Sequence, residues 1–549
     1  MHGWPLRYWS LKLVSLGGMS LAVFALPHLM SGKPVTLYES WPVSAQQRAH
    51  LVSEYGFDHP LSTQYVIWLR RLLTGQWGAS RYSNRPVLHE IWRATRLTLL
   101  LLLWTLLACG LGTVAFWGLR RLVPWLGPLL PRSKLLHILE ALPTFLVAVA
   151  VRELVLWQLG WISMASVPLF EPYYFLSPVY MLLPASILAL TPLRIWYTMP
   201  PGLHPQRPLL RQRWQDFRTL FRPHLESFLL DVSLTEYVFA FPGLGSLGIA
   251  ALQRRDVPLL QGFILCTGAL YFVLRCLCEP ARPHPACPAT FTPRSHSADT
   301  AVYNGLWCLL MLGVITVLAP ALLLYDPMEI HSRDQFLAPG YRYTLGTDFL
   351  GRDVLSRTVE GFRSSIPRVL YLTALVGGMS WLGLGYQHGW RGLLGLLWCG
   401  GLTLLHALPS FVLAFMAFVV FEHRPWALDI ALTIACLPVA AQLLTGETPL
   451  IQRVAHLAQL GGLVLLLEVT FYFLNLSSES FTPTWGSDIR HGMHYGHINI
   501  WMVLAPSCAV IWSRYSLYQL SYGLPYHPPF AARHHNPTTT QRDGEDATR

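Results

Sequence analysis

Two runs of this chain, Leu97–Trp117 and Leu393–Phe421, contain no Asp, Glu, Lys or Arg. About 20 apolar residues in a helix cross the hydrocarbon core of a bilayer, so each run is long enough to span one. Ser10–Leu29, Pro178–Leu193, Val257–Leu274, Tyr303–Tyr325, Val369–Gln387 and Ile498–Gln519 have similar character. Leu135–Val151, Leu225–Ala250, Trp426–Gly446 and Ala458–Leu476 carry one or more acids and are weaker candidates. The sum is about twelve spans, six on each side of residues 278–300. Only 13% of the residues are charged, against roughly 25% in an average soluble domain. That is too little to cover a water-facing surface, so lipid is the outer solvent. The first span is too long, and too far from a small-residue cleavage site, to read as a signal peptide.

The net charge of +11 has two sources to weigh. No basic run stands apart from the apolar segments, so the excess reads as arginine held at the cytoplasmic face and not as a nucleic-acid surface. Loops 118–134 and 194–222 carry ten Lys and Arg, against Arg152, Arg254 and Arg255 in the short loops on the other side. This sets both basic loops and both termini in the cytoplasm, and segment 31–95 outside. The nine cysteines show no zinc or disulfide spacing. No metal or cofactor is implied.

Three patterns occur once in each half, in the same order. R-x-V-L-x7-R falls at Arg85, Val87, Leu88 and Arg96, then at Arg352, Val354, Leu355 and Arg363. A-L-P-[ST]-F falls at Ala141–Phe145 and Ala407–Phe411. E-x-x-F-x-F-x-x-L falls at Glu236–Leu244 and Glu468–Leu476. The offsets are 267, 266 and 232 residues, so the second copy lacks 34 residues between its second and third patterns. The expected organisation is a first half over 1–277, a proline-rich cytoplasmic linker over 278–302, a second half over 303–522, and a disordered cytoplasmic tail over 523–549. The expected fold is an all-α integral membrane protein of two six-helix bundles, related by a pseudo-twofold axis along the membrane normal.

Thr344-Leu-Gly-Thr-Asp-Phe-Leu-Gly-Arg-Asp-Val-Leu-Ser-Arg357 resembles the LGTDxLGRDVLSR signature of C-type permeases of dipeptide, oligopeptide and nickel importers. Phe481–Gly486 is similar to that subunit's PTPxWG loop, with Phe481 in place of the first proline. Leu234–Gly245 is similar to the B-type partner's VETVFSWPGLG, and Gly56–Leu61, Gly75–Ser80 and Arg85–Leu88 resemble its outer segment. The resemblance covers roughly 50–277 and 303–520, and implies a B-type and a C-type permease of a type I ATP-binding-cassette importer fused in one chain. It further implies a bacterial inner-membrane location, a periplasmic solute-binding protein at the outer mouth, and two cytoplasmic ATPases beneath. The chain has no G-x4-G-K-[ST] loop, since Pro27 stands where Gly32-Lys33 would need a glycine, so ATP hydrolysis belongs to another chain. An enzymatic role would need a nucleophile or clustered acids and histidines at membrane depth, and the buried acids are scattered.

Glu236 and Glu468 interrupt apolar runs at matching places, so both should face the bundle or a wet cavity. Two readings stand for them: pore-lining or gating acids, or structural acids near the outer end of the span. Phe239 and Phe471 belong to the same gate region. Pro242, Gly243 and Gly245 break the helix carrying Glu236 and predict a re-entrant scoop at the outer mouth. Gly346, Thr347, Asp348, Gly351, Arg352 and Asp353 form an outer loop, either a docking surface for the binding protein or a fold-defining turn. Within it, Asp348 and Arg352 are spaced to pair at i, i+4 on one helical turn. The family couples to its ATPases through a loop bearing E-A-A-x3-G after the fourth span. Here residues 212–222 lack that stretch but predict an amphipathic helix with Trp214, Phe217 and Phe221 on one side, beside Arg218. The second such loop, near 446–457, is shorter still, which leaves as an alternative a degenerate permease-fold scaffold or sensor without transport.

Overall fold

A computed structural model describes residues 4–30, 34–38, 44–122, 142–158, 178–198, 209–278, 295–389, 393–422, 424–444, 449–476 and 482–526. Most of the linker and nearly all of the tail lie outside the described residues, as do Ala141, Phe481 and much of the two basic loops. Among the described residues regular structure is helical, with two isolated β-bridges.

The first half contains α1 (Trp4–Leu29), α2 (Ala45–Tyr55), α3 (Leu61–Leu73), α4 (Val87–Leu122), α5 (Thr144–Arg152), α6 (Pro178–Thr198), α7 (Leu209–Phe221), α8 (Leu225–Val238), α9 (Leu244–Arg254) and α10 (Val257–Leu277). The second contains α11 (Ser295–Leu322), α12 (Val354–Gly389), α13 (Leu393–Leu405), α14 (Ser410–Phe421), α15 (Ala427–Leu443), α16 (Leu450–Phe473), α17 (Trp485–Tyr495) and α18 (Trp501–Gly523). Residues 87–115, 257–277, 299–322 and 450–473 are long and apolar enough to cross a membrane, and α1, α6, α14 and α15 contribute shorter apolar segments. Prolines explain why several expected spans are shorter than the apolar runs. Pro409 opens α14 and splits the Leu393–Phe421 run into two helices, since proline favours a first-turn position.

The same packing order recurs in each half. α4 lies on α6 as α12 lies on α15; α8 meets α9 as α16 meets α17; α9 meets α10 as α17 meets α18. The first helix meets the last in both, α1 on α10 and α11 on α18. Helices embedded in lipid gain little from apolar burial against one another, so close approach at small residues matters more. A Cβ at Gly268 would stand 2.4 Å from Met19 Sδ, and one at Gly305 3.0 Å from the Leu520 backbone nitrogen. A glycine thus seats the first-to-last helix pair in each half. The shortfall of the second half is also visible: residues 153–177 separate α5 from α6, whereas 422–426 separate α14 from α15.

Candidate functional site

In both halves a hydroxyl on the second long helix reaches a buried glutamate on the helix before the scoop. Thr98 Oγ1 donates to Glu236 Oε1 at 2.6 Å, and Ser365 Oγ donates to Glu468 Oε1 at 3.0 Å. Thr98 and Ser365 are 267 residues apart, the offset of the first sequence pattern. Both glutamates are almost completely buried. In the first half the second carboxylate oxygen accepts from Gly245 N–H at 2.7 Å and Ser246 N–H at 3.2 Å, while Leu244 N–H donates to Thr98 Oγ1 at 2.7 Å. These are first-turn amides of α9, which have no partner within their own helix. Glu236 therefore holds the scoop helix by its positive end. The glycines follow from this close seating: a Cβ at Gly243 would lie 2.2 Å from the Glu236 carboxyl, and one at Gly245 2.3 Å from Ser233 Cα. Pro242 stands at the break, between Ala240 with φ +51° and the start of α9.

The second half solves the same problem differently. α17 is capped by Thr484 and Ser487, so it does not draw on Glu468 for its first amides. Asn475, at the position matching Gly243, takes φ +59°, a conformation asparagine tolerates better than most side chains. The two breaks thus differ in how each scoop helix is capped.

Beside the glutamates lies an aromatic layer joining the halves. Phe473 meets Phe145 with ring centroids 5.7 Å apart and Tyr237 at 5.9 Å; Phe471 meets Phe415 and Phe418, each at 5.5 Å. Phe239 and Phe471 are both buried. Such offset and edge-to-face rings fill space densely.

The repeated arginine pattern begins at a turn that recurs before α4 and α12. Ala79 bridges Pro86 in one, Thr347 bridges Asp353 in the other, with Gly78 and Gly346 at positive φ. Each turn anchors the start of the last span: Ser80 Oγ donates to Asp256 at 2.5 Å, and Asn499 Nδ2 donates to Leu345 and Thr347 carbonyls at 3.1 and 3.3 Å. Asp348 and Arg352 do pair, at 2.7 Å, but the pair closes a turn outside any helix. The turn needs Gly351 at φ +77°, where a Cβ would overlap the His331 carbonyl. Gly346, Thr347, Asp348, Gly351, Arg352 and Asp353 are all buried, as a fold-defining turn requires. Sequence reasoning missed the adjoining ion pair, in which Arg357 Nε donates to Asp488 Oδ1 at 2.9 Å and so ties this turn to α17. His491 lies beside this group; burial first, then Arg490, Arg357 and Arg352, lower its pKa to about 4.

α7 forms where an amphipathic helix is expected. Trp214 stacks on Phe217 at 5.7 Å and Phe217 on Phe221 at 5.3 Å, so the three rings share a face. Phe217 and Phe221 also reach Trp196 and Phe228, whereas Trp214 remains exposed. Arg218 lies half-buried on the same helix. Its second-half counterpart is not a separate helix among the described residues: six residues intervene between α15 and α16, which starts at Leu450 and runs unbroken into the span.

Side chains bridge the halves at both ends. Arg255 Nη2 meets Glu422 Oε1 at 2.7 Å, and Gln253 Nε2 donates to Leu474 O at 2.8 Å, on the face carrying α9. On the opposite face Glu226 accepts from Ser410, and Arg275 donates to His406 O at 3.3 Å.

An all-helical membrane protein with two copies of one packing order, closed against each other at both faces, has the architecture of a transport permease. The chain is homologous to permease subunits of peptide and glutathione transport systems. Dipeptide transport system permease protein DppB of Alkalihalophilus pseudofirmus is 22% identical over 321 residues, 50% of this chain and 95% of that protein. DppB of Escherichia coli (strain K12) is 25% identical over 320 residues, 50% of this chain and 94% of its own. Glutathione transport system permease protein GsiC of Salmonella typhimurium is 26% identical over 286 residues, 47% of this chain and 88% of its own. Nearly a whole relative therefore fits on half of this chain, as a fusion of two permeases requires. No protein-family model matches the chain.

Proposed function

We propose that this permease forms, between its two halves, the translocation pathway of an ATP-binding-cassette importer for peptides or similar small solutes. The observation that carries the reading is the duplicated hydroxyl–glutamate pair, Thr98–Glu236 and Ser365–Glu468, on either side of an aromatic layer shared by the halves. In this reading each glutamate sets the position of a scoop helix or its surroundings at the outer mouth, and Phe239, Phe471 and their neighbours close the passage. The substrate class follows the names of the relatives, dipeptide and glutathione permeases.

Residues 1–277 act as the B-type half and 303–522 as the C-type half, with α7 on the cytoplasmic face of a bacterial inner membrane. Trp214, Phe217, Arg218 and Phe221 are the contact for one of two separate ATPase subunits. A periplasmic solute-binding protein delivers cargo to the outer face, where Tyr341, fully exposed beside the turn of Gly346–Asp353, is available to it. Pull-down of the full chain from detergent tests the assembly. Co-purifying ATPases support it, and Trp214→Ala with Phe217→Ala should weaken their association; undiminished binding would remove the role assigned to α7.

A further inference from the structure

The contact between the halves on the α7 face includes a carboxylate of the first half that caps a helix of the second. Glu226 Oε2 accepts from Ser410 Oγ at 2.8 Å and Ser410 N–H at 3.3 Å, at the first residue of α14 in the other half. Its other oxygen accepts from Tyr271 OH on α10 at 2.9 Å. Arg275, one turn further along α10, donates to Tyr271 OH at 3.4 Å and to His406 O at 3.3 Å. A carboxylate at a helix start satisfies an amide left open by the helix and meets its positive end, so this is a trans cap.

Among the described residues the pseudo-equivalent contact is not made. The third pattern's offset of 232 carries Glu226 onto Ala458, which has no acceptor side chain. The second pattern's offset carries Ser410 onto Thr144, whose hydroxyl pairs within its own half, with Thr191 Oγ1 at 3.2 Å and Arg194 Nη2 at 3.5 Å. The carboxylate cap on this face is therefore supplied by the first half.

Glu226 also stands directly downstream of α7. A single 3-10 turn, Arg222–His224, joins α7 to α8, and Glu226 is the second residue of α8. This joint is helical throughout, and α7 is fastened to α8 by Phe221 against Phe228. A displacement of α7 is therefore delivered to Glu226 with little slack.

Resting on the permease reading above, we propose that Glu226 is the positioning residue through which α7 governs closure of the passage on its face. Seated on α14 it holds the halves together; when α7 moves, the carboxylate leaves Ser410 and that face opens. Because Ala458 offers no equivalent, an ATPase pair would work this particular latch through the first half.

The test is thiol labelling in membrane vesicles that expose the α7 face, with the full chain and a membrane-impermeant maleimide. The probe is Leu408→Cys, beside the capped residue and buried in the closed arrangement. The same chain without the added cysteine supplies the background from the nine native ones. Glu226→Ala should raise the labelling rate of this site about tenfold, the size expected for loss of a charge-assisted bond. Glu226→Gln, which keeps an acceptor without the charge, should give an intermediate rate. Thr144→Ala should leave the rate unchanged. Labelling at Tyr341→Cys, read separately in vesicles that expose the far face, should not respond to any of these, which reports that the fold is intact. If Glu226→Ala does not accumulate, Glu226→Gln decides the matter. A native labelling rate at Leu408→Cys in the Glu226 variants overturns the latch. Failure to recover ATPases with the native chain would instead count against the importer reading, since the labelling needs no ATPase.

Discussion

Replacing Thr98 by valine keeps the shape of the side chain and removes its hydroxyl. Two bonds disappear together: the donor to Glu236 Oε1 at 2.6 Å and the acceptor for Leu244 N–H at 2.7 Å. Thr98 and Glu236 are both buried, so water cannot replace either bond without entering the bundle. Interhelical hydrogen bonds in membranes average about 0.6 kcal/mol, which puts the lower bound for two near 1 kcal/mol. Stranding a carboxylate oxygen and an amide in a buried site costs about 1–3 kcal/mol for each group, which puts the upper bound at about 6 kcal/mol. The loss of the amide that starts α9 places the expected value at about 3 kcal/mol. Unfolding in mixed micelles with increasing denaturing detergent, followed by tryptophan fluorescence, measures it. Thr98→Ser should retain most of the stability, and Ser365→Ala, which removes a single bond, should cost less than Thr98→Val. A Thr98→Val chain within about 0.5 kcal/mol of the native one would refute the claim that this pair holds the scoop helix.

Gly361→Ala should be among the most disruptive small substitutions, because the added Cβ would stand 2.4 Å from the indole ring of buried Trp485; the expected readout is a loss of folded material by size-exclusion chromatography. Arg357→Ala should loosen α17, since it leaves the Asp488 carboxylate buried without its ion pair, and limited proteolysis between α16 and α18 should accelerate. His491 has a folded-state pKa near 4 and an unfolded value near 6.5, so the unfolded chain binds the extra proton first as pH falls. Its contribution is complete above pH 6.5 and declines between about pH 6.5 and 4, and His491→Gln should flatten the stability-against-pH curve in that window.

The membrane class and the doubling of the chain were legible because both are written in pattern. Uncharged runs and in-register repeats survive as strings, and the glycines at 346 and 351 announced a turn that the φ angles reproduce. The partners of Glu236 and Glu468 were not legible. Threonine and serine are common in apolar helices, and nothing in a single sequence marks Thr98 and Ser365 until the 267-residue offset is applied to them. Asp348 and Arg352 were expected to pair on a helix, because spacing alone cannot separate a helical turn from a glycine-hinged one. Glu226, Asp231 and Glu236 follow at five-residue steps and share no helix face, so their spacing marks no site. That geometry holds, yet the partner of Glu226 is Ser410, 184 residues away on another bundle. Long-range contacts between halves leave no local periodicity to read.

Membrane-impermeant thiol labelling of Arg85→Cys, Tyr341→Cys and Trp214→Cys, one at a time in sealed vesicles of known orientation, bears most directly on the pairing of two parallel bundles. Positions 85 and 341 are expected to react from one side of the bilayer, and position 214 from the other. Reaction of 85 and 341 from opposite sides would mean that the halves are inverted, and would contradict a shared passage between like-oriented bundles.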